Sequence, residues 1–125
     1  MPLSISKDIL FVSTPSHAHP FMGPLKDSGF NVIIKENFDA AFAEAQKLKP
    51  AIIVFYLPQY WQNITEFVKK LRAIPEFETT PMVYIGGMIE GQDQEVIRSL
   101  GVKTLTKGPL PELEMVRFMV KLANG

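Results

Sequence analysis

The sequence predicts an α/β domain built as a doubly wound parallel sheet with helices on both faces. Three observations carry that reading. Five short apolar runs alternate with five stretches that can be helical. The runs are continuous rather than alternating and rich in Ile and Val, which suits strands covered on both faces. The chain has 125 residues, enough for one domain that buries most of its apolar surface without a disulfide or a metal.

The predicted strands are "DILFVS" at 8 to 13, "NVIIK" at 31 to 35, "AIIVFYL" at 51 to 57, "MVYIG" at 82 to 86 and "VKTLT" at 102 to 106. Between them the helices have recognisable ends. Asn37 N-caps a helix starting at Phe38, Asp39 sits in its positive first turn and Pro50 stops it; Ala41, Ala45 and Leu48 mark its apolar side. Ile64, Phe67, Val68 and Leu71 follow the i, i+3, i+4, i+7 pattern that one sheet face covers. A fourth helix runs from about Asp93 to Leu100 and ends at Gly101. The fifth opens with Pro111, carries Glu112 and Glu114 near its positive end and has Lys121 near its C-terminus. The first stretch, "STPSHAHPFMGPLKDSGF", holds Pro15, Pro20 and Pro24. An interior proline removes a hydrogen bond and clashes with the carbonyl four residues back. A long loop and then a short or kinked helix ending near Ser28, capped by Gly29, are expected there.

Right-handed crossovers leave few topologies for such a chain, and the flavodoxin-like strand order 2-1-3-4-5 is the natural one for five strands. The whole of 1–125 reads as a single domain, compatible with being part of a longer parent chain. Thirteen basic residues balance thirteen acidic ones, so no global field favours nucleic acid or anionic lipid. No apolar stretch is long enough to span a bilayer and the N-terminus does not resemble a secretory signal, so a cytoplasmic location is expected. The absence of cysteine excludes disulfides, thiolate catalysis and cysteine metal sites.

At the level of spacing, "KPAIIVFYLP", "EFVKKLRAIPEFETTPMVYIGG" and "LGVKTLTKGPLPELEMV" resemble the receiver domains of bacterial response regulators, the CheY-like family. The resemblance runs from Ile9 to Leu122, with Leu71, Arg72, Pro75, Pro81, Gly101 and Lys107 at the family's places. It implies a two-component signalling fold. In that family an acidic pair after the first strand holds Mg2+, an aspartate ending the third strand accepts a phosphoryl group, and a Thr or Ser after the fourth strand and a Lys after the fifth bind it. An aromatic on the fifth strand then follows the hydroxyl inward.

Carried over by position, the acidic pair becomes Ser13 and Thr14, the phosphoacceptor Tyr56, the switch hydroxyl Gly86 and the strand-five aromatic Thr104. Lys107 alone is kept, and Gly108 intervenes before Pro109. Two hydroxyls do not replace carboxylates around a hard dication, so no metal site, no Mg2+ and no cofactor are expected, and no catalysis. His17 and His19 in "SHAHP" lack a third nearby ligand, too little for a metal site.

Interaction candidates take the place of chemistry. Tyr60 and Trp61 follow the third strand in a loop, and such aromatics are enriched at interface hot spots; packing over the altered pocket is the competing reading. In the fifth helix, steps of about 100° place Leu113, Val116 and Val120 toward the sheet, while Met115, Phe118, Met119 and Leu122 widen the apolar arc to about 220°. One sheet face needs about half of that, so the surplus should meet a protein partner or a second copy. The sequence therefore reads as a phosphorylation-independent, degenerate receiver acting by protein–protein interaction or dimerisation. The alternative is a small-ligand or anion sensor using the strand-end crevice near Tyr56, Gly86 and Lys107.

Overall fold

A computed structural model describes residues 7–13, 15–57, 64–86, 91–105 and 112–124. Its strands are β1 (Asp8–Val12), β2 (Asn31–Lys35), β3 (Ile52–Leu57), β4 (Met82–Gly86) and β5 (Val102–Leu105). Its helices are α1 (Pro15–Asp27), α2 (Phe38–Leu48), α3 (Ile64–Arg72), α4 (Gly91–Ser99) and α5 (Glu112–Asn124), with a short 3-10 turn at Pro75–Phe77. The strands form one sheet in the order β2-β1-β3-β4-β5, and every pairing is parallel. This is the predicted topology.

β3 occupies the centre, and Ile52, Ile53, Val54 and Phe55 have no exposed surface. Successive side chains go to opposite faces, which divides the core in two. Leu10, Val12, Ile53, Phe55 and Tyr84 pack with Ala41 and Ala45 of α2, Phe67, Val68 and Leu71 of α3 and Ile97 of α4. Ile9, Phe11, Ile52, Val54, Val83 and Ile85 pack with Phe21 and Leu25 of α1 and Val116, Met119 and Ala123 of α5. Each large side chain so buried contributes about 1.5–3 kcal/mol, which is why a continuous apolar run can only be a strand with helices on both sides.

The caps follow the local chemistry. The Asn37 side chain accepts from the Ala40 N–H at 2.8 Å, and α2 ends at Lys49, whose φ of +50° is left-handed. α1 departs from the expectation of a loop and a short helix: it is helical from Pro15 onward. Pro15 occupies the first helical position, where a missing N–H costs nothing. Pro20 and Pro24 are interior, and their local cost is overridden by tertiary anchoring: Phe21 and Leu25, one turn apart, are buried against the sheet. The end is the predicted Gly29. Its N–H donates to Lys26 O at 2.9 Å, and the Phe30 N–H reaches Leu25 O at 3.1 Å. Gly29 has φ +94°, so this is the Schellman closure that favours glycine.

Arg72 closes the far end of the domain. Its Nε donates to Leu100 O at 2.7 Å, and its Nη1 donates to Phe77 O at 2.6 Å, Glu78 O at 3.1 Å and Thr80 O at 2.8 Å. One guanidinium thus ties α3 to the turn before β4 and to the junction between α4 and β5. Burial lowers its pKa below the ordinary arginine value.

Candidate functional site

The site positions come together at the carboxyl ends of β1, β3 and β4, where doubly wound sheets place their ligands. Val12 pairs with Phe55, so Ser13 and Tyr56 are the next residues on neighbouring strands. Tyr56 pairs with Ile85, and Leu57 with Gly86. The Ser13 N–H donates to Lys35 O at 3.0 Å, which extends the sheet one residue past β1.

Tyr56 lies on the α1/α5 side. Its half-buried ring stands edge-on to Phe21, with centroids 5.1 Å apart and planes at 81°; Phe21 in turn tilts against Phe11 at 5.7 Å. Edge-to-face contact places a positive ring edge on a negative face and adds about 0.5–1.5 kcal/mol beyond burial. The phenol therefore belongs partly to the core. Phe21 was not singled out in the sequence because its segment reads as a loop. The signal that could have found it is the i, i+4 pair of Phe21 and Leu25 just ahead of Gly29.

Ser13 is a buried polar residue with no exposed surface, and among the described residues its Oγ has no hydrogen-bond partner. An unmade hydrogen bond at a buried hydroxyl costs about 1–3 kcal/mol. Among the described residues, no cluster of three or more His, Asp or Glu side chains is placed to hold a metal ion.

Thr104 takes the register position opposite Tyr84; its side chain, like that of Met115, lies outside the described part. Thr14, Tyr60, Trp61 and Lys107 also lie outside the described residues, as does the Gly108–Pro109 step. In α5 the buried line is Val116, Met119 and Ala123, spaced i, i+3, i+7. Met119 is therefore a correction: it is core, not surface, because α5 packs against both β3 and α1 and that double contact takes in the side of the helix that carries it. Phe118, Val120 and Leu122 are partly buried on its flanks, and Glu114, Arg117 and Lys121 are exposed.

The class that this architecture defines is the CheY-like receiver fold of response regulators. CheY4, a chemotaxis response regulator of Vibrio cholerae, superposes with a TM-score of 0.76 at 19% identity, covering 95% of this chain and 99% of that one. An orphan response regulator of H. pylori superposes at 0.79 with 10% identity, covering 95% and 98%. The receiver domain of a sensor histidine kinase from Pseudomonas aeruginosa, which has magnesium coordinated in its active-site cleft, superposes at 0.75 with 17% identity, covering 96% and 99%. No family model matches the sequence, and no curated protein does; at these identities the likeness is one of fold. No helix among the described residues is long and apolar enough to cross a membrane.

Proposed function

We propose that this chain is a degenerate receiver module that works without phosphorylation, as a cytoplasmic protein-interaction or dimerisation domain with no catalytic activity. The observation that carries the reading is Tyr56: the residue at the phosphoacceptor position is a phenol packed edge-on against Phe21. Ser13 and Gly86, at the neighbouring strand ends, supply no carboxylate. Acyl-phosphate formation needs a carboxylate acceptor, and protein-bound Mg2+ usually relies on one or two carboxylates. Treatment with acetyl phosphate or beryllofluoride plus Mg2+ should leave the mass and the NMR spectrum unchanged. A specific phosphoryl adduct, or large shifts around Tyr56 and Lys107, overturns the proposal.

The partner surface in this reading is α5, with Phe118 and Leu122 as partly exposed apolar contacts. Light scattering is expected to show a dimer that Phe118→Glu dissociates. A monomeric native chain, or an undisturbed mutant dimer, removes α5 as a self-association surface.

A second reading, an anion or small-ligand sensor at the strand ends, is favoured by one observation: the buried Ser13 Oγ has no partner among the described residues. A ligand oxygen reaching it would recover the missing hydrogen bond. A phosphate and nucleotide panel in thermal-shift assays tests this reading, which requires a stabilising compound whose effect Ser13→Ala abolishes.

A further inference from the structure

Among the described residues β2 is paired on one side only, with β1, and its other side is an open sheet edge. The Asn31 N–H donates to Lys7 O at 2.7 Å, and Lys35 O accepts from the Ser13 N–H at 3.0 Å. In a parallel ladder alternate residues bond to the same neighbour, so Asn31, Ile33 and Lys35 turn their peptide groups to β1. Val32 and Ile34 turn theirs to the open edge.

Edge strands are usually blunted by a charge, a proline or a bulge. β5, at the opposite edge of the sheet, carries the exposed Lys103 within its short span. In β2 the only charge is Lys35 at its end, and Val32, Ile33 and Ile34 in its middle are partly exposed.

This edge is complementary to itself. About a twofold axis through Ile33, an antiparallel second copy sets Val32 opposite Ile34, Ile33 opposite Ile33 and Asn31 opposite Lys35. Val32 and Ile34 then form the closely hydrogen-bonded pairs, as their outward peptide groups require. Charge selects the same register. Ile33 packs on the α2/α3 layer, so Asn31 and Lys35 lie on that face too, and Lys35 Nζ is 3.6 Å from Glu44 of α2. Asn31 Nδ2 donates to Asp8 Oδ1 at 3.2 Å. Lys35 of the second copy therefore comes beside Asn31, with the Asp8 carboxylate one further strand away, about 4.8 Å. A slip of two residues sets Lys35 against Ile33 or Gly29 and loses this contact. Equal numbers of acidic and basic residues leave no net repulsion between copies.

We propose that the β2 edge is a self-association surface on which a second copy of this chain pairs antiparallel, joining two sheets into one. The surface is separate from α5. It is also short, so the pairing belongs to concentrated samples.

Hydrogen exchange of the full chain, followed by NMR at low and high chain concentration, tests it. The Val32 and Ile34 amides should exchange about tenfold more slowly in the concentrated sample, while those of Asn31, Ile33 and Lys35, already bonded to β1, change little. Association through α5 alone leaves the edge amides unchanged, so the two surfaces are told apart. Lys35→Glu and Asp8→Lys each set like charges across the edge in a pair of their own kind, and each should lose the concentration dependence. Mixing the two variants should restore it, because opposite charges then meet at both ends. Edge amides that exchange at one rate at both concentrations overturn the proposal, as do variants that keep the native dependence or a mixture that behaves as its components do. Should a variant fail to fold, the alternation of exchange along Asn31–Lys35 in the native chain decides alone.

Discussion

The ring of Tyr56 stands edge-on to that of Phe21 with their centroids 5.1 Å apart, which joins the end of the central strand to the middle of α1. It is a packing contact between the sheet and a helix with two interior prolines, so loss of the ring should be felt in stability. Tyr56→Ala is expected to lower the unfolding free energy by about 2–3 kcal/mol, somewhat less than for a fully buried aromatic. Tyr56→Phe should cost under about 1.5 kcal/mol. Urea denaturation of the two variants separates the ring from the hydroxyl. Equal losses would mean that the hydroxyl, not the packing, holds this position.

Gly101 has φ +88°, and a Cβ placed on it would meet Arg72 Nη2 at 3.2 Å. Gly101→Ala therefore adds left-handed strain, about 1–2 kcal/mol, to a crowded contact with the guanidinium that holds Leu100 O. Arg72→Lys should also destabilise, since a single ammonium does not reproduce the planar fork that reaches both sides of the turn. Because the two sites touch, the double variant should cost less than the sum of the singles, by about 0.5 kcal/mol or more. Strict additivity in denaturant titrations would show that the contact carries no energy.

The interior prolines of α1 are a local defect that the tertiary contacts override. Pro24 is half-buried and its ring lacks the N–H that would bond within the helix. Pro24→Ala should raise stability by about 1–3 kcal/mol, less than the full cost of a helix-interior proline, because the unfolded chain also regains entropy. A lowered thermal midpoint would show that the proline at 24 helps to seat Phe21 and Leu25.

Burial raises the Tyr84 phenol above its ordinary value of 10.0. Below that value both folded and unfolded chains keep the proton, and stability is undiminished. As pH rises from there toward the raised folded value, only the unfolded chain ionises, so stability falls. Tyr84→Phe should remove that part of the alkaline loss. Denaturant midpoints measured on both proteins from neutral pH to above about pH 10 check it, because every other titrating group is common to the pair. Parallel curves would exclude Tyr84 as a source of the loss.

The sequence by itself determined the five strands, the helices after the first and the order of the elements. "AIIVFYL" could only be a central strand, since four consecutive side chains of that kind need two covered faces. Asn37, Gly29 and Gly101 act through one or two neighbouring peptide groups, so the helix ends they mark were legible without the fold. The apolar runs, together with the resemblance to receiver domains, brought Ser13, Tyr56 and Gly86 to three strand ends. Tertiary structure decided what depends on competition between distant groups. α1 is helical against its own prolines because Phe21 and Leu25 have a sheet to land on, and Met119 is core because α5 meets a second helix as well as the sheet. The burial of the Ser13 hydroxyl and the stacking of Phe38 on Phe67 are likewise tertiary facts. Each sets side by side residues that the chain keeps well apart, and neither burial nor Coulomb energy can be read from spacing along one strand or one helix.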